Sequence, residues 1–462
     1  MKRFLGFALL CALSMMGLGC GSSNSTSSQG SNPQPASVFM TGEDAPLASV
    51  VGFKVTLNSV TLNGQDGSTA TVISTPVTVD FARLLGLRSP LAFTSVPADT
   101  YISATFVLAN PAISYVDMTQ NPPALNTING TLPQSPYTLK VNFPQPMVVS
   151  SNGLAGLKME MDIRQSVAVD GSGQITGVVN PVIHVKATKA SDPDGQVTDL
   201  MGGLASVNAA GNSFVIQGPY GHQLTVNVNG STQFNSGWSI NNLATPAIVA
   251  VQGAFQADGS LMASSVEVIS AAQSFLSGRV LAVTNNPSGQ AQQITMWVGE
   301  TGADLVADVD TIQTINVSQV STYDICFLGA VAGSMFSDTS VEVGQRIFIG
   351  GSFAGGTFTP TMISLRLQGV YGTFVPASVT ITDGNAGSFQ LSNNGLVGYS
   401  AGGPVTVNTY PLTYFFDLTG LNQLQSTTTP IPLITGGLLL KDPVSGNPEV
   451  YAGLVADPPQ SD

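Results

Sequence analysis

Basic residues are scarce in this sequence. Its 462 residues include 14 Lys and Arg against 27 Asp and Glu, for a net charge of −13 at pH 7. Binding to nucleic acid needs clustered Lys and Arg that neutralise phosphates, and adhesion to anionic lipid headgroups needs a basic face. We therefore expect no nucleic-acid partner and no electrostatic adhesion to a membrane surface.

Cysteine and histidine are almost absent, with three and two residues respectively. Only Cys326 lies beyond the first twenty residues, which excludes an intramolecular disulfide within that remainder. Its apolar surroundings predict a buried, inert thiol. His184 and His222 have no second His or Cys at ligand spacing, which argues against a zinc site. We expect a strand position for His184 and a turn position for His222.

Recognisable catalytic and cofactor motifs are also lacking. No phosphate-cradling loop or dinucleotide fingerprint is present. The segment Gly398–Gly402 reads GYSAG, the spacing of a nucleophile elbow, but that motif needs a helix after it and a histidine later in the chain. Strand-like residues follow instead, and both histidines lie upstream. We predict a Gly-rich turn there, no catalytic residues and no cofactor.

The first twenty residues have the layout of an export signal. Lys2 and Arg3 precede an apolar run that ends at Cys20, and the uncharged polar segment Gly21–Ala36 follows. This arrangement resembles the processing site of bacterial lipoproteins, which implies cleavage before Cys20 and its modification with acyl chains such as palmitate. By the same resemblance, a residue other than aspartate after the cysteine implies the outer membrane, facing the periplasm or the cell surface. We interpret residues 1–20 as the signal peptide and 21–36 as a flexible tether.

No later segment is long and apolar enough to span a bilayer. The longest apolar runs are Leu243–Phe255 and Ile325–Phe336, and both contain polar or small residues. We therefore expect the rest of the chain to meet the membrane only through its lipid anchor.

The composition beyond the tether indicates an all-β fold. Fifty glycines and 28 prolines fall between short runs rich in Val, Thr, Ile and Phe, and 43% of residues are hydrophobic, enough for a packed core. We predict an N-terminal β-sandwich over residues 37–190, followed by two or three small β-barrel repeats. The repeats are assigned to residues 191–275, 276–369 and 370–457.

The predicted sandwich contains six or seven alternating runs without clear helices. In Gly52–Leu62 the alternation slips at Asn58 and Ser59, which predicts a bulge. The segments TGEDAPLASVVGFKVTLNSVTL, VDFARLLG, VPADTYISATFVL, LKMEMDIRQSV and VNPVIHV resemble, in this order, the bacterial domain of unknown function 4382. The resemblance covers about residues 37–189 and implies a transthyretin-type or carbohydrate-binding-like sandwich. Asp99 replaces the glycine usual in that family.

A repeat runs through the remaining residues. Thr-Val-Asn or Thr-Ile-Asn begins at Thr225, Thr314 and Thr406, and each is followed eight or nine residues later by Phe234, Tyr323 or Tyr414. Each unit opens with a glycine before apolar residues and closes with a run such as VAVQGAF, IFIGGSF or PLITGGL. GGLASV, TVNVNGSTQF and VQGAFQADGSLMASSVEV resemble the domain of unknown function 5666, which implies small β-barrels.

Carboxylates supply the candidate metal ligands. Asp192, Asp194 and Asp199 place oxygen atoms at short spacing around a turn glycine, as calcium loops do, although a solvated linker is the alternative. Asp304, Asp308 and Asp310 form a second acidic group. Two further carboxylates, Glu160 and Asp162, share one face of a strand. They could form an acid pair, but we expect simple exposure.

Exposed aromatic residues are the usual platforms for sugar rings. Of the two tryptophans, Trp297 lies in the alternating run ITMWV, which predicts a core position. Trp238 lies in the polar run NSGWSINN and is our candidate ligand-binding residue.

These observations predict a lipid-anchored protein of the cell envelope that acts as a non-catalytic binding or scaffolding module for surface glycans or envelope proteins. The alternatives are an envelope-polymer hydrolase that uses carboxylates and a purely structural spacer. The sequence makes no prediction of an oligomeric state.

Overall fold

The computed structural model describes residues 35–45, 49–84, 88–171, 174–218, 222–271, 274–326, 336–392, 404–442 and 445–457. Strands dominate this part of the chain, and the all-β fold class is confirmed. The two α-helices described are single short turns, α1 (Ile163–Ser166) and α2 (Leu421–Ser426). No helix among the described residues is long and apolar enough to cross a membrane.

Twelve strands occupy the N-terminal region, more than the six or seven alternating runs in the sequence, because several are too short to show alternation. They are β1 (Ala36–Ala45), β2 (Val50–Gly64), β3 (Thr69–Ile73), β4 (Val77–Asp80), β5 (Ser89–Val96), β6 (Asp99–Asp117), β7 (Ala124–Asn129), β8 (Tyr137–Val149), β9 (Leu154–Asp162), β10 (Val167–Val169), β11 (Ile175–Val179) and β12 (Ile183–Thr188).

Two larger sheets form most of this region. One has the order β12-β9-β1-β5, and the other has the order β3-β2-β6-β7, with β4 paired to β2 and β8 paired to β6. Phe53 and Phe106 from one sheet and Met159 from the other are fully buried in one shared core. The two sheets therefore face each other across that core. The predicted bulge is confirmed, since the pairing of β2 with β6 shifts register between Leu57 and Ser59.

Three six-stranded sheets follow along the chain. The first sheet comprises β13 (Gln196–Asn208), β14 (Ser213–Gln217), β15 (Gln223–Asn227), β16 (Gln233–Phe234), β17 (Ile248–Phe255) and β18 (Leu261–Ser270). The second sheet comprises β19 (Ser274–Asn285), β20 (Ala291–Thr301), β21 (Thr311–Asn316), β22 (Thr322–Ile325), β23 (Arg346–Ala354) and β24 (Thr357–Leu365). The third sheet comprises β25 (Gln368–Phe374), β26 (Thr380–Asp383), β27 (Ala386–Ser392), β28 (Val405–Phe416), β29 (Pro432–Lys441) and β30 (Pro448–Ala456).

These three sheets share one set of pairings. The first has the order β15-β14-β13-β17-β18-β16, and the second has the same order in β21-β20-β19-β23-β24-β22. In the third, β25, β27, β28, β29 and β30 pair like β13, β14, β15, β17 and β18, while β26 is an added strand. The Thr-x-Asn motifs lie on the equivalent strands β15, β21 and β28. The repeated sequence pattern thus coincides with a repeated topology.

The sheets differ in whether their strand pairings form a closed circuit. In the first sheet β15 pairs in parallel with β18, through Val226 opposite Leu261. In the third sheet β28 pairs in parallel with β30, through Val407 opposite Val450. In the second sheet β21 and β24 are both fully described and do not pair. We call this unpaired boundary between β21 and β24 the open seam.

Each of the three sheets contains a glycine bulge at the equivalent position. The register shifts at Gly253 in β17, at Gly351 in β23 and at Gly437 in β29. A Cβ atom at these positions would lie 2.3, 2.2 and 2.1 Å from a carbonyl oxygen of the neighbouring strand. No real contact is that short, so the backbones can approach only without a side chain.

We predict that Gly351→Ala destabilises the protein, because its methyl group would overlap the carbonyl oxygen of Thr359. The free energy of unfolding, measured by urea titration with circular dichroism, should fall by about 2 kcal/mol. The matched control is Ser352→Ala at the next, exposed position, with a change within about 0.5 kcal/mol. Equal effects of the two substitutions would contradict the role of this bulge.

Candidate functional site

Asp199 lies at the centre of a buried ion network between the first and second sheets. Its Oδ2 accepts a hydrogen bond from Arg346 Nη1 at 2.6 Å, and its Oδ1 accepts one from Arg366 Nη2. Arg366 Nη1 also donates to Glu267 Oε1 at 2.9 Å, and Arg346 Nη2 donates to Glu300 Oε2 at 3.4 Å. The Arg366 side chain is fully buried and that of Asp199 is 2% exposed. The positive charges of both buried arginines are therefore balanced by these carboxylates.

The network shifts the pKa of Asp199. Burial alone would raise the pKa of this carboxyl, but Arg366 and Arg346 hold it below its usual value. The pKa of Arg366 is raised, because Asp199 and Glu267 outweigh the effect of burial. Asp199 and Arg366 are therefore both charged at neutral pH. The role of the network is to join strands β13 and β18 to strand β23 and to the residue after β24.

The three predicted calcium ligands are not brought together. Asp199 faces two arginines, whereas Asp194 Oδ2 accepts a hydrogen bond from Lys186 Nζ at 3.1 Å. Asp192 Oδ2 accepts one from the backbone N–H of Lys189 at 3.1 Å. Within the described ranges, no group of three or more His, Cys, Asp or Glu side chains has the arrangement to hold a metal ion. Asp194 and Asp199 compensate protein cations and Asp192 binds the backbone, so the three carboxylates do not converge on one point.

Asp310, from the second acidic group, has a similar role at another junction. Its carboxylate pairs with Lys54 of β2 and accepts a hydrogen bond from Arg83 Nη2 at 2.6 Å. Arg83 also pairs with Asp80 through Nε at 3.0 Å. Asp310 thereby joins the N-terminal region to the second sheet.

The expected exposure of Glu160 and Asp162 was wrong. Their residue exposures are 5% and 2%, because β9 is a central strand between β1 and β12. Asp162 caps helix α1 by accepting from the Gln165 backbone N–H at 2.8 Å, and it accepts from the Gln165 side chain at 2.6 Å. Glu160 lies 3.8 Å from Lys158 Nζ. This pair of carboxylates is engaged with its own neighbours.

The surroundings of the two histidines and of Cys326 are close to those expected from the sequence. His184 lies in β12 opposite Glu160, and burial lowers its pKa while Asp162 partly offsets that effect. His222 is exposed, and its carbonyl oxygen accepts from the Gly218 N–H at 2.9 Å. Cys326 is buried, as predicted, and is not part of a disulfide.

The two tryptophans are both packed. Trp297 is 5% exposed and contacts Val51, Val116 and Leu281 between the N-terminal region and the second sheet. Trp238 is partly buried against the core of the first sheet. Because its ring is packed there, it offers less open face to a sugar than its polar sequence context suggested. Cys20 and the segment Gly398–Gly402 lie outside the described residues.

A cleft of about 490 Å³, the junction cleft, opens where the first sheet, the second sheet and the N-terminal region meet. Its walls are mostly apolar, and they include Met201, Ile248 and Phe275. Arg83, Glu300 and Asp304 supply charge to its lining, but each already has a partner, in Asp310, Arg346 and Ser274 respectively. The junction cleft therefore has room for a ligand but few polar groups left to orient one.

A second cleft, of about 510 Å³, lies along the open seam, and we call it the seam cleft. Its walls carry amide and hydroxyl groups beside two phenylalanines that face each other across β23 and β24. The lining of the seam cleft includes Gln313, Asn316, Gln319, Phe353, Phe358 and Thr359. Phe353 is 38% exposed. This mixture of polar groups and an exposed ring provides both contacts and orientation for a polar ligand.

The register explains why the seam is open. Phe358 and Pro360 stand where the first sheet has Leu261 and Ala263, judged from their pairing with the bulge strands. The larger ring changes the packing at the boundary. Proline has no N–H to contribute to a ladder and occurs in strands mainly at edges. Both substitutions therefore disfavour pairing of β24 with β21.

The asparagine of the Thr-x-Asn motif also changes its partners at the seam. Asn227 Nδ2 donates to Gln256 and Ser260 at 2.7 and 2.9 Å, and Asn408 Nδ2 donates to Glu449 at 2.9 Å. Asn316 instead accepts at Oδ1 from Ser318, and its Nδ2 has no hydrogen-bond partner among the described residues. The sequence pattern identified this residue but gave no sign that its amide group is available.

Comparison with known proteins gives one match. Residues 201–267 match a family described as a domain of unknown function, DUF5666. They span most of the first sheet, so the resemblance of this segment is confirmed. No curated protein and no solved structure matches the chain.

We predict that Asp199→Asn lowers the free energy of unfolding by about 3–5 kcal/mol, because it removes the charge of the one carboxylate that both buried arginines share. Lys186→Ala is the control, since the side chain of Lys186 is 47% exposed and should contribute less than about 1 kcal/mol. Urea titration at pH 7 measures both. A loss below 1 kcal/mol in the Asp199 variant would contradict the importance of the network.

The Asp199→Asn variant should also change how the free energy of unfolding depends on pH. Because the folded pKa of Asp199 is lowered, its contribution is complete above the unfolded pKa of about 3.9 and is lost as the pH falls through the folded value. The Asn variant should therefore lose less stability than the parent protein below pH 4.

Proposed function

We propose that this protein is a lipid-anchored, non-catalytic binding protein of the bacterial cell envelope that holds a neutral glycan in its seam cleft. The observation that carries this proposal is the open seam. It is present in only one of three sheets that otherwise share their main strand pairings. In the other two, the equivalent strands pair and their asparagines are engaged. Divergence at one copy of a repeated unit is typical of a site grafted onto a shared scaffold.

The chemistry of the seam cleft favours a sugar polymer. Amide and hydroxyl groups form directional hydrogen bonds with sugar hydroxyls, and an exposed ring such as Phe353 can stack on the apolar face of a sugar. The only charged side chain in the lining is Asp308, which already accepts from Gln313 at 3.1 Å. With a net charge of −13, the protein would repel an anionic polymer. A neutral glycan offers hydroxyl groups for the hydrogen bonds, an apolar face for the ring, and no negative charge to be repelled.

The location in this proposal rests on the sequence. Cys20 after an apolar run and the polar tether at residues 21–36 support processing as a lipoprotein and display at the outer membrane. Two or three acyl chains would hold the protein stably, since one chain alone binds only marginally. The resemblance of residues 37–189 to DUF4382 supports an N-terminal sandwich, and the shared pairings support two further repeats beyond the matched one.

The hydrolase alternative draws on Glu160 and Asp162. Asp162 bonds to Gln165 through both oxygens, and neither carboxylate lines the junction cleft or the seam cleft. Their surroundings support a structural role, so we favour binding over hydrolysis. The structural-spacer alternative does not account for the open seam or for the side-chain amide of Asn316, whose Nδ2 makes no hydrogen bond among the described residues.

The binding site can be tested with the full chain in detergent on an array of neutral oligosaccharides. Phe353→Ala and Asn316→Ala should each weaken binding of the retained glycan at least tenfold, since they remove a stacking face and a free donor. Trp238→Ala is the matched control and should bind as the parent does. Circular dichroism verifies that all variants fold.

Two results would contradict this site. The parent protein could retain only envelope proteins and no glycan, which would favour the scaffolding alternative. Alternatively, Trp238→Ala could abolish binding while the seam variants retain it, which would move the site to the first sheet.

The anchor is tested separately by Cys20→Ala. If acyl chains are attached there, the parent should enter the detergent-rich phase on phase separation and the variant should remain in the aqueous phase. Unchanged partitioning of the variant would contradict lipidation at this residue.

A further inference from the structure

A small cavity of about 30 Å³ lies between the N-terminal region and the second sheet, and we call it the arginine cavity. Its lining includes Arg83, Arg279 and Arg346 but only one carboxylate, that of Glu300. The cavity has room for one or two water-sized groups. An excess of positive charge in so small a space needs compensation.

Two of the three arginines already have partners. Arg83 pairs with Asp80 and Asp310, and Arg346 pairs with Asp199 and Glu300. Arg279 has no ion pair or hydrogen bond through its side chain among the described residues. It lies in β19 directly opposite Arg346 in β23, and like charges that face each other across strands are unfavourable.

Two further donors in the lining are also unsatisfied. Ser277 is 1% exposed and Trp297 is 5% exposed. Within the described part of the chain, Ser277 Oγ and Trp297 Nε1 have no hydrogen-bond partner. A buried donor without a partner costs about 1–3 kcal/mol. Three groups that can donate hydrogen bonds therefore line one cavity without a protein acceptor.

We propose that the arginine cavity binds a halide-sized monovalent anion such as chloride. One negative charge would compensate Arg279, accept hydrogen bonds from Ser277 and Trp297, and separate Arg279 from Arg346. The small volume favours a single-atom anion over a larger phosphate or carboxylate ligand. This site is separate from the seam cleft and does not depend on the function proposed for it.

The pKa of Arg279 agrees with this assignment. Burial, together with the neighbouring charge of Arg346, lowers it to about 9. Arg279 therefore remains protonated at neutral pH, and its charge is unfavourable until an anion offsets it.

Trp297 provides a direct spectroscopic test. In the full chain carrying Trp238→Phe, Trp297 is the one remaining tryptophan, and its burial protects it from random collisions with a quencher. Sodium iodide should quench its fluorescence with a saturable dependence on concentration at constant ionic strength, with gluconate as the balancing anion. Chloride should compete and restore the fluorescence.

Variants in the same background connect the quenching to the cavity. Arg279→Gln should weaken apparent iodide affinity at least tenfold, and the milder Ser277→Ala should weaken it a few-fold. Arg164→Gln is the matched control, because Arg164 lies over Tyr371, away from the cavity, and should leave the affinity unchanged. Ser277→Ala and the chloride competition also test the proposal if the Arg279 variant does not fold.

Quenching that stays linear with iodide concentration and is insensitive to chloride would overturn the proposal and assign water to the cavity. Saturable quenching of equal affinity in the parent and in Arg279→Gln would overturn it as well, by placing the anion elsewhere.

Discussion

The buried guanidinium of Arg366 is the interaction on which the arrangement of the first two sheets depends. It is fully buried between them, and Asp199 and Glu267 of the first sheet compensate its charge. A buried charge with a missing partner costs several kcal/mol, whereas a displaced apolar side chain can find new contacts. The ion network therefore selects one relative position of the two sheets. Apolar packing of Ile248 and Ile269 of the first sheet against Phe348 of the second adds buried surface without selecting a position.

Repetition with local divergence explains how one scaffold can provide different sites. All three sheets keep the glycine bulge, because any side chain there would overlap a neighbouring backbone. The boundary between the Thr-x-Asn strand and the last strand is less constrained. Bulky Phe358 and donor-free Pro360 stand at that boundary beside the open seam, and the side-chain amide of Asn316 is the donor that our proposal assigns to ligand binding. In our proposal, binding depends on the absence of one strand pairing, while the other pairings of the sheet are kept.

Local patterns in the sequence predicted the structural features that depend on residues close together in the chain. Short runs rich in β-branched residues between glycines and prolines indicated the all-β fold, and a slip in alternation located the bulge after Leu57. The apolar context of Cys326 and the alternation around Trp297 predicted that both are buried. Long-range partners were not predictable in this way. Asp199 was interpreted as a calcium candidate because its arginines lie 147 and 167 residues away. The clearest available signal was the presence of Arg346 and Arg366 at the ends of apolar strands, since a buried arginine requires a carboxylate. Glu160 and Asp162 were expected to be exposed because alternation shows which residues share a face but not what covers it.

Hydrogen exchange of the full chain, with and without a neutral envelope glycan, tests the central claim most directly. The account predicts slower exchange in strands β21 and β24 on addition of the glycan, and no change in the equivalent strands β15, β18, β28 and β30, whose boundaries are already paired. Protection confined to the junction cleft, or no protection at any glycan concentration, would contradict binding in the open seam.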